Sequence, residues 1–197
     1  MPVVMVAPAP SMMTPIPLVV SAVGRFALGK VPAFSWHEIQ DPENHTTICL
    51  SRAWVQASGH FFAEHFPFWF ADTWLKEVYG FVYGSDMPII EQMKVSHKRA
   101  PTQNMHDLEF WFRVFAQTRG ERIEEAKRIA KAIGAPWHDR PALVALFEQG
   151  DALQIERVPQ YEAFYKAGSS APSAAYLEAK AKAEKLFNVR DAFAEAA

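Results

Sequence analysis

Five prolines fall within the first 17 residues, at Pro2, Pro8, Pro10, Pro15 and Pro17, and no charged side chain appears before Arg25. An uncharged stretch of that length would be long enough to cross a bilayer as a helix. Each proline, however, removes a backbone donor and breaks the helix that lipid demands. The same prolines interrupt any signal-peptide core, and no basic residue precedes it. The sequence therefore predicts an extended proline-rich arm over residues 1–34. No Asp or Glu occurs before Glu38, while Arg25 and Lys30 do. An acid-poor, weakly basic N-terminus is a feature of mitochondrial import segments as well as of ordinary surface arms.

Beyond the arm, the pattern is helical. Glycine is scarce, at nine residues, and no alternating apolar and polar runs are joined by Asn-Gly or Asp-Gly turns. Ser35-Trp36-His37-Glu38 reads as a capping box opening a brief helical turn. From Thr46 to Phe66, Ile48, Val55, Phe62 and Phe66 share one stripe, and Leu50, Trp54 and Phe61 share another. Pro67 ends that helix, and a second is expected from Phe68 to Tyr79, with Phe70, Ala71, Trp74, Leu75 and Val78 inward and Asp72, Thr73, Lys76 and Glu77 outward. Ser85-Asp86-Met87-Pro88 opens a short helix that stops before Pro101. Leu108, Trp111, Phe112 and Phe115 continue at helical spacing, Gly120 loosens the run, and Ile123, Ala126, Ala130 and Ile133 carry it to a stop at Gly134 and Pro136.

Pro141 opens a helix through Phe147, closed by Gly150, and another follows Pro159 toward Tyr165. Gly168 to Ser173 is a connector. From Ala174 to Phe193 a narrow stripe of Tyr176, Ala179, Ala183, Leu186 and Phe193 predicts an amphipathic C-terminal helix. The expected fold is all-α: an irregular multi-helix domain over residues 35–167, flanked by the arm and by a linker and helix over residues 168–197.

The chemistry-bearing residues do not converge on a catalytic motif. There is no phosphate-binding glycine loop, no G-x-S-x-G elbow and no H-E-x-x-H. Seven histidines invite a metal reading. On one helix, though, His60 and His65 would lie about 140° apart around the axis. His60 and Glu64 would share a face, as partners for a metal or for proton transfer, or as a solvated pair. Trp137-His138-Asp139 has adjacent side chains that point apart. Cys49, between Ile48 and Leu50, reads as a small buried apolar residue, and a single cysteine suits a reducing, intracellular compartment. No catalytic residue, metal or cofactor is implied.

A formal charge of −2 supplies no field for nucleic acid. The positive cluster Lys94, Lys98 and Arg99, near His97 and His106, is an expected contact for an anion or a lipid headgroup. Aromatics make up 13% of the chain, more than one core face of each helix needs, so Phe68, Trp69, Tyr176, Leu186 and Phe193 are expected to meet a partner. The sequence thus points to a non-catalytic accessory subunit bound to other protein subunits, with peripheral lipid contact. The specific expectation is a mitochondrial inner-membrane complex, respiratory or ATP synthase. The alternative is a small soluble α-helical enzyme or ligand-binding protein with an aromatic-lined pocket and a site near His60, Glu64 or His106.

Overall fold

A computed structural model describes residues 33–39, 47–66, 70–96, 107–165 and 171–187. The described chain is mostly helical but carries a small mixed sheet, so the all-α expectation holds only in part. Strand β1 (Ala33–Glu38) lies between β2 (Ile48–Leu50) and β3 (Ile89–Val95). It pairs antiparallel with β2, Phe34 opposite Cys49, and parallel with β3, Ser35 opposite Ile89, with an irregularity between Trp36 and His37. The expected capping-box turn at Ser35–Glu38 is therefore a strand. Its Ser35 N–H bonds to the Pro88 carbonyl at 2.9 Å, and Trp36 N–H to that of Thr47 at 3.1 Å. Phe34, Trp36, Ile89, Ile90 and Val95 are residue types that fit a pleated, half-buried surface. The helix expected after Pro88 is likewise β3.

Helix α1 (Arg52–Ser58) is far shorter than the Thr46–Phe66 span read from spacing. Ser51 caps it by accepting the Trp54 N–H at 3.2 Å. Gly59 ends it in the left-handed region, φ 86°, with its N–H on the Val55 carbonyl. Helix α2 (Ala71–Tyr83) buries Trp74, Leu75, Val78, Tyr79, Phe81 and Val82, and also Glu77, which the sequence placed outward. Helix α3 (Leu108–Gln117) and helix α4 (Arg119–Ile133) are separated by Thr118 alone, so Gly120 sits inside α4 rather than at a break. The stop at Gly134 forms as expected: φ is 70° and the Ala135 N–H reaches the Ala130 carbonyl.

Helix α5 (Pro141–Glu156) starts at its proline but runs straight through Gly150. Helices α6 (Val158–Tyr165) and α7 (Ala174–Phe187) complete the described chain. Among the described residues no helix is long and apolar enough to cross a membrane.

The chain forms two compact units. One comprises the described residues of Met1–Phe62, Asp72–His97 and Ile123–Asp139; the other, those of Ala63–Ala71, Lys98–Arg122 and Arg140–Ala197. In the first, Trp54, Trp74, Val78, Ala126 and Ile129 lie in the core, and Trp54 and Tyr79 stack at 6.1 Å. A smaller cluster of Phe34 and Cys49, with Trp36 and Ile90 against it, belongs to the sheet. In the second, α3 is central and is contacted by α5, α6 and α7. Its aromatic core joins Phe66, Phe70, Trp111 and Phe115, with ring centroids 5.0–6.0 Å apart between those in contact.

Candidate functional site

The first unit contains a buried carboxylate that the sequence did not single out. Glu125 of α4 is 1% exposed, and its Oε2 accepts the Trp74 indole N–H at 2.8 Å. His60 Nε2 lies 3.3 Å from the same oxygen. The other oxygen, Oε1, is buried without a hydrogen-bond partner. Because α1 ends at Gly59, His60 leaves the helix, and the expected His60–Glu64 face does not exist. Glu64 is exposed, and the carboxylate beside His60 comes from α4. A histidine held by a buried carboxylate is the orienting half of an acid–base pair. No group of three or more His, Cys, Asp or Glu among the described residues is placed to hold a metal ion.

Other chemistry-bearing residues are engaged structurally. His65 Nε2 lies 2.8 Å from Glu121 Oε2, and its ring meets Phe187 edge-on. Asp139 accepts the Trp137 indole N–H at 3.1 Å rather than orienting His138. Burial pushes the Cys49 thiol up to about 11, against a smaller opposing effect of the Trp36 indole, which leaves it a poor nucleophile.

Of the five side chains expected to meet a partner, Tyr176 is turned into its own chain. It is 1% exposed; its hydroxyl accepts the Trp111 indole N–H at 2.9 Å and donates to Asp107 Oδ2 at 3.1 Å. Burial raises its pKa strongly. Lys180 Nζ donates to the same Asp107 oxygen at 2.6 Å and lies over the Phe110 ring. Tyr176 thus pins α7 to α3 within its own unit. Leu186 is exposed. Phe68, Trp69 and Phe193 lie outside the described residues, as do Lys98, Arg99, His97, His106 and the arm as far as Pro32. Lys94, on β3, is exposed.

Among the described residues, one exposed apolar stripe is one the sequence did not single out. Helix α5 carries Leu143, Val144, Leu146, Phe147, Leu153 and Ile155, yet buries none of its side chains fully. Leu146 is 60% exposed and Leu153 51%. They lie two turns apart on a stripe that also exposes Ala142, Ala145, Gln149, Ala152 and Glu156. Asp151, on the other side, pairs with Arg119, which fixes how the helix is turned. The signal was present as hydrophobic spacing, but spacing alone does not distinguish a face that meets the core from one that meets nothing in the chain. The sequence matches no protein-family model, no curated protein and no solved structure.

Proposed function

We propose that this chain is a non-catalytic accessory subunit of a larger protein assembly. The observation that carries the reading is α5: a 16-residue helix rich in leucine with no fully buried side chain. Leu146 and Leu153, more than half exposed on one face with Ala145 and Ala152, form an apolar stripe of the kind that contact surfaces use. The assembly we propose is a mitochondrial inner-membrane complex, respiratory or ATP synthase, on the basis of the acid-free sequence before Glu38. Exposed Lys94, with Lys98 and Arg99 following in sequence, supports peripheral contact with anionic headgroups. Gentle detergent extraction of the endogenous protein, followed by native size separation and mass spectrometry, tests this. Co-migration with a stable mitochondrial particle is the expected result; recovery as a free small species from a non-mitochondrial fraction contradicts it.

The His60–Glu125 pair favours a second reading, a ligand-binding or acid–base role in the first unit. Its test is a metabolite screen by NMR on the His60 ring resonances. A ligand that shifts them, with the shift lost in Glu125→Gln, supports the role, and a screen that leaves them unmoved removes it.

A further inference from the structure

The exposed stripe of α5 is self-complementary, and we infer that it pairs antiparallel with α5 of a second copy of this chain about a two-fold axis at Gln149. The inference rests on reading α5 as a contact surface and names its occupant. Large and small residues alternate along the stripe in adjacent pairs, Ala145-Leu146 and Ala152-Leu153, seven positions apart. An antiparallel two-fold centred on Gln149 sets each Leu146 against the partner's Ala152 and each Leu153 against the partner's Ala145, knob to hole on both sides. Both leucines already stand more than half in water.

Charge selects the same direction. Between Pro141 and Glu156 the helix has acidic residues and no basic one. Its N-terminus has no side-chain cap and no acid in its first turn. In the antiparallel arrangement the partner's Glu156 comes beside Ala142, at that positive end of the helix dipole. A parallel pairing would instead bring Glu156 against its own copy at the same end, which like-charge repulsion opposes. A helix of 16 residues spans about 24 Å. A contact of that length is short beside a standard interface of roughly 800 Å² per partner, so the inferred dimer is a reversible one.

Sedimentation equilibrium of the purified full-length chain, from about 1 to about 200 µM, tests for reversible association. The weight-average mass is expected to rise from 22.2 kDa toward twice that value. Leu146→Glu and Leu153→Glu, at exposed positions, hold the mass at the monomer value while the circular dichroism spectrum and thermal midpoint stay unchanged. Leu146→Ala weakens association, and adding Ala152→Leu in the same chain restores it by exchanging knob and hole. A wild-type chain that stays monomeric throughout overturns the inference, as does a dimer that both Leu→Glu variants leave intact. A monomeric purified chain whose endogenous form still runs in a large particle overturns self-pairing alone and leaves the accessory-subunit reading standing, with another protein on α5.

Discussion

Replacing Tyr176 by Phe deletes one hydroxyl from the interior of the second unit, and its cost follows from the bonds that hydroxyl makes. Trp111 Nε1 donates to it at 2.9 Å and it donates to Asp107 Oδ2 at 3.1 Å. Phenylalanine leaves the buried indole N–H without that acceptor, a loss of about 1–3 kcal/mol. The second bond reaches a carboxylate that Lys180 also neutralises at 2.6 Å, near solvent. Its loss adds only about 0.5–1 kcal/mol. The expected destabilisation is therefore about 1.5–4 kcal/mol. Trp111→Phe removes the donor instead, and in a chain already lacking the hydroxyl it should cost at least about 1 kcal/mol less than it does alone. Urea unfolding of the four chains of this cycle gives both quantities, and amide exchange in α7 locates the effect. A Tyr176→Phe chain within about 0.5 kcal/mol of wild type, or two substitutions that simply add, would refute the docking role.

Four further outcomes follow from the fold. The buried Cys49 thiol should resist alkylation at pH 8 until denaturant is added, and rapid labelling of the native chain would contradict its placement. Because its pKa rises from 9.0 unfolded to about 11 folded, the unfolded chain ionises first. Stability should then fall by up to about 1.4 kcal/mol per pH unit between those values, a slope that Cys49→Ser reduces in an alkaline unfolding series. Gly59→Ala meets open space but forces a side chain onto φ 86°. It should cost about 1–2 kcal/mol by denaturant unfolding, and no change would mean that α1 does not end there. Leu146→Glu, in contrast, should leave monomer stability within about 0.5 kcal/mol of wild type, and a large loss would show that the stripe is covered within the chain.

The helices whose apolar faces meet a core in their own unit were legible. Trp74, Leu75 and Val78 in α2, and Leu108, Trp111 and Phe115 in α3, stand buried as their spacing indicates. The strands were not. The evidence for β1 is its pairing with Pro88 and Ile89, more than fifty residues away, while Ser35-x-x-Glu38 locally satisfies a helix-start pattern. The break at Gly59 was hidden because Phe61 and Phe62 fall by coincidence on the stripes of the preceding helix. Gly150 misled in the opposite sense, since an interior glycine costs only about 1 kcal/mol and tertiary context overrides it. Buried charge was the least legible. Glu125 finds the Trp74 indole and His60 across 51 and 65 positions of sequence, and nothing near it announces either partner.

The central proposal is that α5 is where this protein meets another chain. A photo-reactive residue placed at Ala152, on the exposed stripe, and at Ala181, exposed on α7, compares two surfaces of one molecule within its own cells. The account predicts that illumination joins the Ala152 variant to a second polypeptide, be it another copy or a different subunit, and leaves the Ala181 variant at its own mass. Equal yields from both positions, or none from Ala152, would contradict it.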